Sequence, residues 1–345
     1  MKVGILGAGA WGTALAIHVA ARHRVVLWSR NPAVLRQIGE ERINRSYLPE
    51  VPVPAGVHLT DDPLIALKGA DLVVLATSVA GIRPVARQVA SLRPRLNAAD
   101  VSGGEAGGAE KPLRPGFVCL SKGLEAQSRA LPHQVFSEVL PGYRFGSFSG
   151  PSFAQEVAAG LPVALTAASQ DEGLRHTMVQ AFHHGAMRVY RSADLIGVEI
   201  AGALKNIIAV ATGICDGLGL GLNARAALLT RGLAEITRFG LAHGASAETF
   251  LGLAGVGDLV LTCTGDLSRN RRVGLLLAQG RSLPDILASL GHVAEGVACC
   301  PAVVSRAAEA QIEMPISQAV LAVTEGRLSA REAVAALLAR EPRQE

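Results

Sequence analysis

The hydrophobic pattern changes character partway along the chain. In the first part, short apolar runs alternate with longer segments of helical spacing. KVGIL (2–6), RVVLW (24–28), DLVVLAT (71–77) and GFVCLS (116–121) are continuous apolar runs, as expected of strands covered on both faces. AWGTALAIHVAAR (10–22) and GIRPVARQVASLR (81–93) have helical spacing, with Pro84 acceptable near a first turn. Strands alternating with helices predict a parallel, doubly wound sheet with right-handed crossovers. From about Ser192 strand-like runs almost vanish. The stretches that follow, among them GVEIAGALKNIIAVATGI, ARAALLTRGLAEITRFGLAHG and AREAVAALLAR, all have helical spacing. The pattern therefore predicts an α/β domain over 1–192 and an all-α domain over 193–345. Between Pro94 and Pro115 the rhythm breaks at SGGEAGGAEKP, which reads as a mobile surface loop or insertion whose role the sequence does not disclose.

Length and composition agree with two domains, because 345 residues exceed the size at which a single core keeps growing. Hydrophobic residues make up 49% and aromatic residues 4%, so packing is mainly aliphatic. A net charge of +4 is too small to argue for a nucleic-acid partner, but it suits a small acidic substrate. The five cysteines are scattered, with no spacing typical of a disulfide framework or a zinc site, so no metal is expected. The apolar run after Lys2 has the look of a signal peptide. Its glycines at motif spacing argue against that, and the chain reads as cytoplasmic with no membrane span.

The sequence GAGAWG (7–12) fits GxGxxG directly after a strand and at the mouth of a helix. Gly7 permits the tight turn, Gly9 lets a pyrophosphate approach the backbone, and Gly12 allows close helix–strand packing. The helix N-terminus offers free N–H groups to the phosphates. This makes the first domain a Rossmann-type dinucleotide-binding domain. The tip of the second strand reads LWSRN, with Ser29 and Arg30 and no acid. A carboxylate there would hold the ribose 2′-hydroxyl of NAD, whereas an arginine takes a 2′-phosphate. The sequence thus favours NADP(H), or dual use with NAD(H).

Two features of the second half carry chemistry. Lys205, one of only five lysines beside 28 arginines, lies in the middle of the apolar helix GVEIAGALKNIIAVATGICDG. Burying its ammonium lowers its pKa, which suits an acid/base group. Helical geometry gives Glu199, Gly202, Lys205, Asn206, Ala209 and Gly213 one polar or small face, leaving room for a ligand. GDLSRNRR (265–272) collects a serine, an asparagine and three arginines, the residue types that surround a phosphate.

Taken together, GAGAWGTALA (7–16), NRSYLP (44–49), SKGLE (121–125), GPSFAQEVAAGLPVA (150–164), GVEIAGALKN (197–206), GLNARAALLTRGLAEITRFG (221–240), GLAGVGDLVLTCT (252–264), SRNRRVG (268–274) and VAEGV (293–297) closely resemble the bacterial-type NAD(P)-dependent glycerol-3-phosphate dehydrogenases. The resemblance runs nearly the whole chain. It implies a helical domain of the 6-phosphogluconate dehydrogenase C-terminal type. It also implies reversible hydride transfer between dihydroxyacetone phosphate and sn-glycerol 3-phosphate, the latter supplied to phospholipid synthesis. Carried over by motif, Lys205 is the catalytic acid/base, and it also lines the substrate site. Lys122 contacts both substrate and cofactor. Gly150, Ser152, Asp258, Ser268, Arg269 and Asn270 complete the substrate pocket. Gly7, Gly9, Trp11, Gly12, Arg30, Ala154, Val293 and Glu295 belong to the cofactor, with Arg269 near it as well. The apolar helical domain makes a homodimer the expected assembly.

The chain departs from the family pattern at the long loop before Phe117, at Ser78 and Glu50 where proline and glycine are common, and at Gly265 in place of a frequent serine. None of these removes a group the chemistry needs. Two other readings use the same architecture. One is a ketopantoate or β-hydroxyacid reductase, which would not require the phosphate cluster. The other is a non-catalytic NAD(P)H-sensing regulator, which would have no use for Lys205, Lys122 and Asp258 together. His183, His184 and His292 have no partners at a telling spacing and read as structural or surface residues.

Overall fold

The computed structural model of the protein describes residues 1–101, 115–290 and 294–341. The glycine-rich run after Val101, His292 and Val293 lie outside the described residues. Contacts divide the chain into two compact units, Met1–Ser121 with Pro132–Leu195, and Lys122–Leu131 with Ile196–Glu345. This differs from a cut at 192/193 chiefly in the strap Lys122–Leu131. The reason is apolar burial: Leu124 and Leu131 belong to the core of the helical unit.

Among the described residues of the first unit there are ten strands, β1 (Lys2–Leu6), β2 (Arg24–Trp28), β3 (Ile43–Asn44), β4 (Leu48–Pro52), β5 (Val57–Thr60), β6 (Leu72–Leu75), β7 (Gly116–Cys119), β8 (Phe145–Ser149), β9 (Val163–Ala168) and β10 (Met187–Ser192). Eight form one sheet in the order β10-β9-β8-β7-β6-β1-β2-β5, and β3 pairs with β4 apart from it. The large sheet is parallel except where β8 meets β9. Strands β6, β7 and β8 are buried at every position, which is why β6 and β7 read as unbroken apolar runs. Edge strand β10 leaves Arg188, Tyr190 and Arg191 exposed, and arginines on an edge strand discourage further pairing. The chain runs from β1 to β2 and β5 on one side, then returns to β6 on the other. The carboxyl ends of β1 and β6 therefore form the topological switch point where ligands bind in such sheets.

The helix after β6 runs from Val79 to Val101, through both Pro84 and Pro94, rather than stopping at residue 93. A proline costs a helix one hydrogen bond and some crowding, and the leucine and alanines beyond Pro94 are good helix formers.

The helical unit is built around Leu195–Gly217. It is the one described helix long and apolar enough to cross a bilayer, but 94% of its apolar window is buried inside the protein. Ile200, Leu204, Ile207, Ile208 and Ile214 pack there with Ile236, Phe239, Phe250, Val273, Val303 and Val320 from neighbouring helices. The small residues on its other face serve helix packing more than ligand space. A side chain at Gly213 would strike the backbone of Arg271 and the Cα of Gly274 at 2.9 Å, so this glycine lets the Arg269–Ala278 helix cross closely.

Candidate active site

Lys205 is buried, 6% exposed, close to the middle of the Leu195–Gly217 helix. Its ammonium donates to Asp258 Oδ1 and to Thr262 Oγ1, the latter at 2.7 Å. Asp258 opens the helix Asp258–Thr264, where the partial positive charge of the N-terminus favours a carboxylate. The glycine-rich approach to it is explained by a kinked turn, Leu253–Gly257, broken at Gly255 (φ −90°, ψ −106°), which packs directly on the backbone of Phe250. Thr262, one helical turn beyond Asp258, gives its hydroxyl proton to the Asp258 carbonyl at 2.7 Å, leaving its oxygen to accept from Lys205. From the strap, Lys122 donates to Asp258 Oδ2 at 2.7 Å. One fully buried carboxylate thus holds two ammonium groups.

These neighbours act on Lys205 in opposite directions. Burial lowers its pKa, Asp258 raises it, Lys122 lowers it again, and the result is about 7. A lysine in that range both gives and takes a proton at neutral pH. An ammonium has three donors, and Asp258 and Thr262 use two, so one remains for a substrate oxygen. Cys263 beside them stays a thiol, its pKa pushed up to about 12 mainly by burial.

A chain of amides adjoins this centre. Asn270 donates to Asn206 Oδ1 at 3.0 Å and accepts from the Gly296 N–H at 3.0 Å. Asn206 in turn donates to the carbonyls of Gly202 and Lys122. Both ends of the Asn270 amide are therefore engaged within the unit. Ser268 caps the Arg269–Ala278 helix by accepting from Arg271 N–H. Of the three arginines in the basic loop, Arg271 is committed to Asp216 and Asp266. The side chains of Arg269 and Arg272 are exposed and make no hydrogen bond or ion pair among the described residues. Glu295 begins the helix Glu295–Glu309 and is partly buried.

The other expected residues belong to the first unit. Gly7 has φ +126°, and a side chain on Gly12 would run into Gly7 and Ala76, so neither position accepts one without moving the backbone. Gly9 faces open space, and no side chain caps the helix Ala10–Val19 that it precedes. An exposed turn with an uncapped helix N-terminus at the switch point fits a dinucleotide pyrophosphate. Trp11 is partly buried against the core. At the tip of β2, Ser29 accepts from Asn31 N–H at 3.1 Å, while Arg30 is exposed and unpaired among the described residues. Gly150 (φ +146°) and Ser152, whose hydroxyl donates to the Gly150 carbonyl at 2.9 Å, form a turn before Ala154 and its helix Ala154–Ala158.

Thr262 was not among the site residues expected from sequence. Thr262 had a readable signal, its spacing of four from Asp258 on a helix. The sequence marks Asn206 only as part of the small or polar face around Lys205, and its partners on two other segments, Lys122 and Asn270, appear only in the fold.

Family models describe both halves of the chain. The N-terminus model of NAD-dependent glycerol-3-phosphate dehydrogenase matches residues 2–175, and the C-terminus model matches 194–335. A protein of Paucimonas lemoignei named glycerol-3-phosphate dehydrogenase [NAD(P)+] is 55% identical over 351 residues, covering 100% of this chain and 98% of the relative. One of the same name from Methylibium petroleiphilum is 53% identical over 349 residues, with the same coverage. Among solved structures, the glycerol-3-phosphate dehydrogenase of Coxiella burnetii aligns with TM-score 0.88 and 38% identity, covering 98% of this chain and 99% of that one.

Proposed function

The chain belongs to the NAD-dependent glycerol-3-phosphate dehydrogenase family, and we propose that Lys205 is the acid/base through which it interconverts dihydroxyacetone phosphate and sn-glycerol 3-phosphate. The observation that carries this reading is a buried lysine with pKa about 7, held by Asp258 and Thr262 with one N–H to spare. When bound, the nicotinamide supplies or accepts the hydride at C2 of the substrate. In reduction, protonated Lys205 polarises the C2 carbonyl and gives its proton to the oxygen as that becomes a hydroxyl. In oxidation, neutral Lys205 takes the hydroxyl proton. Asp258 keeps the amine in place in both states. Lys122 neutralises Asp258 from the other side and supplies a cation to the substrate and cofactor.

The uncommitted guanidinium of Arg269 supports a phosphate contact beside Ser268 and Asn270, and Gly150 and Ser152 are assigned to the substrate by motif. Gly9 lets the pyrophosphate approach, Gly7 and Gly12 shape the turn and the helix packing that allow it, Trp11 lies on the cofactor side, and Arg30 takes the 2′-phosphate of NADP(H), NAD(H) being the second cofactor. Ala154, Val293 and Glu295 are assigned to the cofactor by motif. The product serves phospholipid synthesis in the cytoplasm, a reducing compartment in which five buried free cysteines are at ease. The enzyme works as a homodimer. An apolar groove of about 710 Å³ in the helical unit, lined by Leu220, Leu228, Val320, Val334 and Leu338, supports a face covered by a second copy. The test is NADPH oxidation by the purified protein with dihydroxyacetone phosphate as sole added substrate. Loss of reduced-nicotinamide absorbance is expected, and its absence with ample protein would remove the reading.

A further inference from the structure

The strap Lys122–Leu131 carries one of the two lysines on Asp258, so whatever fixes the strap fixes that lysine. Its loop closes on itself. Glu125 N–H donates to the Ala130 carbonyl at 2.9 Å, Arg129 N–H donates to the Glu125 carbonyl at 2.8 Å, and the Ser128 hydroxyl donates to the Glu125 carboxylate. Arg129 sits at φ 58°, a left-handed conformation that an arginine adopts only at a cost. Arg42 and Gln311, the other two non-glycine residues with positive φ among those described, follow the ends of helices, where the conformation is routine. Arg129 closes a single turn, 126–128, with no helix before it.

In that conformation Arg129 is gripped by one helix at both ends. Its guanidinium donates to Ser305 Oγ at 2.7 Å and pairs with Glu309. Its carbonyl accepts from Arg306 at 3.1 Å. All three partners lie on Glu295–Glu309, the helix whose first turn receives the amide chain from Asn206 through Asn270. At the opposite end of the strap, the Lys122 carbonyl accepts from Asn206 and the Lys122 ammonium meets Asp258.

We propose that Arg129 is a positioning residue for proton transfer: clamped by Ser305, Arg306 and Glu309, it fixes the strap so that the Lys122 ammonium stands on Asp258 beside Lys205. The inference rests on the acid/base reading of Lys205 given above. Among the groups around Lys205, Asp258 and Lys122 act on it through their charge, Thr262 is neutral, and Cys263 stays protonated. A strap that drifts removes the cation and leaves the anion, which favours the protonated amine. Reduction requires that form, so its rate falls as pH rises through the pKa of Lys205. Loosening the strap moves this falling limb to higher pH.

The experiment is the pH profile of kcat for dihydroxyacetone phosphate reduction by the full-length enzyme, wild type against Arg129→Ala and Arg129→Lys. The expected result is an upward move of the falling limb by about half a pH unit in Arg129→Ala, largely reversed in Arg129→Lys, which can still pair with Glu309. The double variant Ser305→Ala/Glu309→Gln attacks the same clamp from the helix side and moves the limb the same way, even where Arg129→Ala does not fold. A merely structural Arg129 would lower the active fraction and leave the limb unmoved, and that result in either variant overturns the proposal. An inactive wild type overturns the acid/base reading and this proposal with it, whereas an active wild type with unmoved variants overturns this proposal alone.

Discussion

Lys122 and Lys205 share a single carboxylate, each taking one oxygen of Asp258. The arrangement makes the anion indispensable and lets one cation tune the other. Removing one member of a buried ionic set costs about 3–5 kcal/mol, because its partners stay behind uncompensated. Asp258→Asn should therefore lower stability by roughly that amount in denaturant unfolding. It should also move the falling limb of reduction to lower pH, since the group that raises the pKa of Lys205 is gone. A limb that rises or stays put would contradict the proposed electrostatics.

Lys205→Ala deletes the proton donor. General acid–base catalysis contributes about 10²- to 10⁴-fold, so turnover should drop by at least that range. NADPH binding, followed by fluorescence titration, should change little, because the residues of the glycine turn belong to the first unit. Retained turnover would remove Lys205 from its role.

Thr262→Val keeps the shape of the side chain and removes its hydrogen bonds to Lys205 and to Asp258. Steady-state kinetics should show kcat reduced by about tenfold, on the order of the loss of one hydrogen bond to a charged group. Thr262→Ser, which keeps the hydroxyl, should recover most of it. Equal losses in both variants would assign Thr262 to packing alone.

Stability should depend on pH through a histidine pair of the first unit. His184 stacks on His18 with ring centroids 4.0 Å apart, and its buried Nε2 has no hydrogen-bond partner among the described residues. Burial, followed by the neighbouring His18, lowers the pKa of His184 to about 4, against 6.5 for the free group. The folded state therefore disfavours the proton that the unfolded chain accepts. This contribution is constant above pH 6.5 and is lost as pH falls from there through 4. Thermal midpoints should fall across that window in the wild type and less steeply in His184→Phe. Parallel slopes would exclude His184 as the source.

Arg30→Asp should turn cofactor preference toward NADH, because a carboxylate repels the 2′-phosphate and accepts from the 2′-hydroxyl. The ratio of kcat/KM for NADPH over NADH should drop at least about tenfold. An unchanged ratio would mean that Arg30, exposed at the strand tip, does not discriminate.

The elements most legible in the chain were those whose pattern is local. Strands β1, β2, β6 and β7 announce themselves as unbroken apolar runs because helices cover both faces of the sheet. β8, with the sequence FGSFS, carries no such run and is a strand only because its neighbours supply the ladder. Gly213 shows the converse. One helix alone suggests room for a ligand at that position, and only the crossing helix explains the missing side chain.

By itself, the sequence determined the glycine turn at the head of the sheet, the lysine in an apolar helix, the basic loop and the family to which they belong, all consequences of residue type at short spacing. The tertiary structure decided which groups meet that lysine. Asp258, Thr262 and the strap bearing Lys122 come from distant stretches, and no periodicity encodes their meeting. Arg271 drops out of the phosphate cluster because Asp216 reaches it, and Arg129 becomes of interest because a helix from far down the chain holds it. A pKa is set by burial and by charges a few ångströms away, so what Lys205 can do at neutral pH follows only once the chain has folded around it.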